Sequence, residues 1–144
     1  MRTLLCWLLL VAALPLAAQV KNEHFKNLKP RSIGPAGMSG RVTAIDAVVS
    51  NPDIFYVGGA SAGVWRTTNG GASWESLFDE QPVINIGAIK IQQSNPDVVW
   101  VGTGEGNPRN SLNLGEGIYK TLDGGKTWKR MGLEKTRNIH RIVI

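Results

Sequence analysis

The sequence is poor in the residues that make covalent or metal-held folds. It contains one cysteine, Cys6, and two histidines, His24 and His140. A single thiol excludes a disulfide-stapled domain and a cysteine-ligated zinc site. Two histidines leave too little for a histidine-rich metal centre, and no metal or cofactor is expected. Long apolar runs are also missing. The longest, residues 4–16, is about 13 residues, whereas a spanning helix takes about 20. Beyond that run no segment keeps a 3.6-residue period. Glycine is the opposite case, with 17 in 144 residues against a usual share of roughly 7%. Without a Gly-X-Y period this excludes collagen and implies many tight turns. A hydrophobic content of 42% excludes a wholly disordered chain, and the length suits one domain.

Residues 1–18 have the form of a secretory signal peptide. Arg2 starts it, residues 4–16 are apolar, and Ala17 and Ala18 are the small residues before a cleavage site. Gln19 would be the new N-terminus. Residues 19–40 then form a lead-in, and the protein is expected outside the cytoplasm, secreted or periplasmic, with no stable membrane span once the leader is cut. The formal charge of +5 is spread thinly, apart from a loose group at Lys129, Arg130, Lys135, Arg137 and Arg141. That spread reads as a solvated face, and no nucleic-acid partner is expected.

Internal repetition is the strongest signal. Ser50-Asn51-Pro52-Asp53 recurs as Ser94-Asn95-Pro96-Asp97, and Val57-Gly58 as Val101-Gly102. Further on, Gly63-Val64-Trp65-Arg66-Thr67 recurs as Gly117-Ile118-Tyr119-Lys120-Thr121, and Trp74 as Trp128. The second copy therefore carries extra residues between Gly102 and Gly117. A third copy begins at Ile139-His140-Arg141-Ile142, answering Ile86-Gly87-Ala88-Ile89 and Val42-Thr43-Ala44-Ile45. Each unit predicts four short strands: 42–49, 54–58, 63–68 and 73–78, then 86–92, 98–102, 117–122 and 127–131. Asn51-Pro52-Asp53 and Asn69-Gly70-Gly71 supply turns. Four strands per repeat is the signature of β-propeller blades. The expected fold is all-β: blade 1 over 41–79, blade 2 over 80–132, and the first strand of a third blade in 133–144. One such blade cannot bury both faces alone. Three aromatic columns, Tyr56 with Trp100, Trp65 with Tyr119 and Trp74 with Trp128, are expected to form the blade-to-blade core. A propeller needs about 4 to 8 blades, so the chain is expected to be part of a longer one whose remaining blades are its partners.

Two segments carry a resemblance. Thr67-Thr68-Asn69-Gly70-Gly71-Ala72-Ser73-Trp74 and Thr121-Leu122-Asp123-Gly124-Gly125-Lys126-Thr127-Trp128 resemble the Asp-box, or BNR repeat. The second copy fits fully; the first has Asn69 for Asp and Ser73 for Thr. The resemblance implies structural roles for Thr67, Asn69, Gly71, Ser73 and Trp74, and for Thr121, Asp123, Gly125, Thr127 and Trp128. Asp123 would cap a hairpin, and the Trp would pack into its blade. Residues 33–42, Gly102-Thr103-Gly104-Glu105-Gly106-Asn107 and Met131-Gly132-Leu133 extend the likeness to large secreted bacterial proteins, sortilin (VPS10)-like or named as glycosyl hydrolases. The chain resembles the N-terminal blades of such a protein. Photosystem assembly factors and sortilin ectodomains use similar repeats to bind proteins.

The same residues bear on two glycosidase patterns. Xyloglucan-cleaving glycosidases resemble Tyr-x-x-x-Asp-x-Gly-Gly-x-Tyr-Arg in their first blade, with the Asp one of two required carboxylates. Here Tyr56 to Arg66 aligns with that pattern, and Ala60 stands at the Asp. The sialidase pattern Arg-Ile-Pro is missing from Arg41-Val42-Thr43 and Arg141-Ile142-Val143. No catalytic residue is therefore assigned, and Asp46 is read as solvated or lining the channel. Candidate binding residues come from two places. Arg41, Asn85 and Asn138 share one repeat position, just before each innermost strand, where they would ring a channel mouth. Glu105, Asn107 and Arg109 lie in the insertion of blade 2, where Glu105 and Asn107 could hold a hard cation or sugar hydroxyls. The expected function is binding of a protein or polysaccharide. The alternatives are a glycoside hydrolase whose carboxylates lie mostly elsewhere, and a scaffold.

Overall fold

A computed structural model describes residues 22–25, 41–107 and 112–144. The chain divides into two units, 1–31 and 32–144. In the first, one turn of 3-10 helix is described at Asn22–Phe25. The expected leader and most of the lead-in lie outside the described residues. Among those residues no helix is long and apolar enough to cross a membrane.

The second unit is all-β. Strands β1 (Val42–Ala47), β2 (Phe55–Gly59), β3 (Val64–Thr67) and β4 (Glu75–Ser76) form one antiparallel sheet in sequence order. Strands β5 (Ile86–Ile91), β6 (Val99–Thr103), β7 (Ile118–Thr121) and β8 (Lys129–Arg130) repeat it. The likeness reaches the irregularities: β1 is bulged between Val42 and Ala44, and β5 between Ile86 and Ala88. These are two blades of a β-propeller, an incomplete one.

The outermost strands are shorter than the sequence suggests, because the turns before them are built from side chains. Thr67 Oγ1 accepts from the Gly71 N–H at 2.8 Å, and Asn69 Oδ1 accepts from the Ser73 N–H at 2.9 Å. In blade 2, Thr121 Oγ1 accepts from the Gly125 N–H at 2.9 Å. Asp123 accepts from the Thr127 N–H at 2.9 Å and its hydroxyl at 2.5 Å. Gly70 and Gly124 take φ of 66° and 69°, a left-handed conformation in which a side chain is strained. This wrapping consumes the residues that would have lengthened β4 and β8.

Asp123 and Asn69 have the same fold role but different titration. Hydrogen bonds from Thr121 and Thr127 hold the Asp123 carboxyl well below the usual carboxylate range. The stabilisation is therefore complete above the unfolded-chain value of about 4, and it fades as the pH falls below that toward the depressed native value. Melting followed by circular dichroism should show a Tm that drops on acidification below about pH 4. Asp123→Asn should lose part of that drop, because its turn then matches the non-titrating one at Asn69. An unchanged acid limb would contradict the assignment.

Side chains alternate across a sheet, so each blade has two different faces. Asp46, Tyr56, Arg66 and Glu75 form one cross-strand row of blade 1. Ile89, Val101, Tyr119 and Arg130 form one row of blade 2. These two faces meet. Tyr56 donates to the Gly124 carbonyl at 3.2 Å and Arg66 Nη1 to the same oxygen at 2.7 Å. Phe78, fully buried, stands edge-on to Tyr119 and Trp128 with ring centroids 5.3 and 5.1 Å away. The Trp128 indole donates to the Leu77 carbonyl at 2.7 Å. Near the inner strands, Thr43 Oγ1 donates to the Ile86 carbonyl at 2.6 Å. Asp46 accepts from the Ile91 N–H at 2.8 Å and pairs with Lys90 at 3.1 Å. Asp46 thus joins blades rather than standing in solvent or in the channel. Close approach is possible because Gly58 has no side chain: a β-carbon there would strike Ile86.

The aromatic columns need a correction. Tyr56 and Tyr119 are buried, but Trp65 and Trp100 are only partly covered and Trp74 is 38% exposed. Column mates sit on like faces of successive blades, so each needs a different neighbour. Tyr56, Tyr119 and Trp128 do reach the seam, one from each column, but the ring at its centre is Phe78, which belongs to none of them.

Residues 139–144 carry no strand ladder, yet they continue the repeat. Ile139 lies over Gly102 as Ile86 lies over Gly58, and its N–H donates to the Thr103 carbonyl at 3.1 Å.

The two buried tyrosines give a paired prediction. The Tyr119 hydroxyl is buried without a hydrogen-bond partner among the described residues, whereas that of Tyr56 is bonded. Tyr56→Phe should cost about 1 kcal/mol, and Tyr119→Phe should be neutral or stabilising. Denaturant titration of the two variants checks the order.

Candidate functional site

Arg41, Asn85 and Asn138 precede β1, β5 and the 139–144 segment. Backbone bonds fix the first two at one edge: the Arg41 carbonyl accepts from the Ala60 N–H at 2.9 Å, and that of Asn85 from the Gly104 N–H at 2.7 Å. The insertion of blade 2 leaves β6 at this edge and folds back over it. The Glu105 N–H donates to the Asn113 carbonyl at 2.9 Å, and the Gly115 N–H to the Arg137 carbonyl at 2.6 Å. Asn85 Nδ2 donates to the Leu114 carbonyl at 3.0 Å. Asn113 Nδ2 reaches Ser61 Oγ of blade 1 at 2.6 Å.

Glu105 lies at the centre of this loop and is completely buried. Its Oε1 accepts from Arg41 Nε at 2.8 Å and from Arg41 Nη2. Its backbone carbonyl accepts from Asn138 Nδ2. Its other oxygen, Oε2, is buried and has no partner among the described residues. The side chain of Arg41 is 32% exposed. The structure therefore brings Arg41, Glu105 and Asn138 into contact, with Asn85 joined through the loop backbone. Asn107 is exposed. Arg109 lies outside the described residues. Ser61 was not legible as a site residue, since no motif or repeat marks it.

The chemistry of the cluster follows from that burial. A carboxylate sealed from water and paired to a guanidinium braces the loop against β1. The exposed polar groups around the pair are part of Arg41, together with Ser61, Asn107, His140 and Arg141. Beside the cluster, β1, β5 and 139–144 line a groove of about 220 Å³ in which Thr43, Ile45, Ile89, His140 and Arg141 take part. Among the described residues no group of three His, Cys, Asp or Glu comes together. Ala60 is buried at 2% exposure and presents a methyl group.

No protein-family model matches the chain. Over 121 residues it is 31% identical to the xyloglucanase Xgh74A of Acetivibrio thermocellus. That match takes in 72% of this chain and 14% of the relative, so the chain spans about one seventh of the curated relative's length. Among solved structures it is similar to a GH74 enzyme of Niastella koreensis, with 20% identity and a TM-score of 0.49. The likeness covers 64% of this chain and 14% of that one. It is also similar to YCF48 of Cyanidioschyzon merolae, with 21% identity and a TM-score of 0.47, over 69% of this chain and 29% of the other.

The Arg41–Glu105 pair predicts an asymmetric response to mutation. Arg41→Met leaves a carboxylate in the interior with no counter-charge and should cost about 3 kcal/mol or more. Glu105→Gln leaves a guanidinium that can turn toward water and should cost clearly less. Equal losses in denaturant titrations, or the reverse order, would refute this account.

Proposed function

We propose that the chain is part of an exported, polysaccharide-binding β-propeller and holds no hydrolytic centre of its own. The single observation that carries the reading is the pairing of two changes at one edge. Ala60 stands where the xyloglucan-cleaving pattern has a carboxylate, and the buried carboxylate nearby, Glu105, is occupied by Arg41. Cleaving a glycosidic bond takes two accessible carboxylates; holding a chain of sugar hydroxyls takes amides, hydroxyls and guanidinium edges. Arg41, Asn113 and Ser61 supply the second set. The identity to a xyloglucanase supports a β-glucan as the ligand class. The apolar leader and the two glycine-rich turns support an exported Asp-box protein with further blades.

Electrophoresis of the full chain through gels cast with xyloglucan or another β-glucan tests the reading. Retardation by a glucan, with no reducing ends released on prolonged incubation, is expected. Release of reducing ends would establish a hydrolase, and mobility unaffected by every glucan would shift the ligand class to protein.

A further inference from the structure

The two glycine-rich turns differ at a position that water can change. Blade 2 has Asp123-Gly124, and blade 1 has Asn69-Gly70, the chain's single Asn-Gly step. An asparagine loses its side-chain amide when the next residue's backbone nitrogen attacks the amide carbon. Asn51, Asn95 and Asn107 precede prolines, which have no N–H to give up. Asn85 and Asn138 precede isoleucine, whose branched side chain crowds the nitrogen. Gly70 offers an uncrowded one. At Asp123 the carboxylate, kept ionised by Thr121 and Thr127, is a poor electrophile.

The folded turn blocks the attack from both sides. The Gly70 N–H, whose proton must leave, donates to the Asp53 carbonyl at 3.0 Å. The Asn69 amide is also held. Its Oδ1 accepts from Thr67 Oγ1 at 3.0 Å and from the Ser73 N–H at 2.9 Å, and its Nδ2 donates to Ser73 Oγ at 2.8 Å. We propose that Asn69-Gly70 is a latent deamidation site, sealed while the turn is folded and converted when it opens. The Gly70 nitrogen then bonds to Asn69 Cγ, and the Cγ–Nδ2 bond breaks. The Gly70 proton departs with the leaving nitrogen as ammonia, and a cyclic imide remains. Water opens that ring at either carbonyl. Opening at Cγ leaves an aspartate at position 69, which the turn accepts. The Ser73 hydroxyl rotates to donate, as the Thr127 hydroxyl donates to Asp123 Oδ2 at 2.5 Å. Opening at the main-chain carbonyl inserts a carbon into the backbone, and the turn no longer closes. The site thus turns an opening of blade 1 into a permanent change, one branch of which gives the turn of blade 2.

The full chain should be incubated in mildly alkaline buffer with and without urea, digested with trypsin, and its Thr67–Lys90 peptide followed by mass spectrometry. In urea the peptide should convert to a mixture of aspartate and isoaspartate forms. In the folded chain conversion should be slower by about a hundredfold or more. Ser73→Ala removes an exposed partner of the amide and should speed conversion several-fold in the folded chain, with an unchanged circular dichroism spectrum and an unchanged rate in urea. Asn69→Asp should melt a few degrees above the wild type at neutral pH. Equal rates with and without urea would overturn the proposal, as would no conversion in urea. So would a Ser73→Ala chain no faster than wild type, or an Asn69→Asp chain that melts lower.

Discussion

A four-stranded sheet with apolar groups on both sides is stable in water only against another surface. That constraint governs this molecule more than any local propensity. In blade 1, β4 is a two-residue strand that contributes few ladder bonds, and in blade 2 the same is true of β8. What holds the unit is the seam. Phe78 sits between Tyr119 and Trp128, Tyr56 and Arg66 converge on one carbonyl, and glycines at 58 and 102 let Ile86 of β5 and Ile139 of the following segment press down. The inner strands add a second line of contact through Thr43 and Asp46.

The candidate site depends on that seam. Arg41 comes from blade 1, Glu105 from the insertion of blade 2 and Asn138 from the segment that follows it. None could be placed without the stacking, and together they close the edge of the two blades with polar groups satisfied mostly by one another. The same closure buries Glu105 against Arg41.

Much of the architecture was legible because the repeat records it twice. The recurrence of Ser-Asn-Pro-Asp and of the glycine-rich turns locates every strand of both sheets to within a few residues. The common position of Arg41, Asn85 and Asn138 follows from the same offsets. Three things were not legible, each because it depends on which face meets which. Phe78 has Gly132 as its counterpart and so leaves no repeating trace, although it fills the seam. Asp46 and Lys90 occupy equivalent places in successive copies, and nothing in the offset says that equivalents in neighbouring blades can touch. The partnership of Glu105 with Arg41 spans 64 residues and two different loops, one of them an insertion absent from the first copy. Periodicity reports where side chains recur; it is silent on what an insertion folds back onto.

The Arg41–Glu105 pair also bears on the order in which the molecule assembles. The N-terminal blade leaves the ribosome well before residue 105, so Arg41 waits in water while the second blade is made. A strand slipped by one residue in its ladder turns its side chains to the opposite face, and a slip of β1 or β6 would also leave the Glu105 charge without its counter-ion. The penalty for such a stranded charge is several kcal/mol, comparable to much of a small domain's total stability. A brace that adds little to the correct fold can thus weigh heavily against a misaligned one, acting as a proof-reading step in the docking of the two blades.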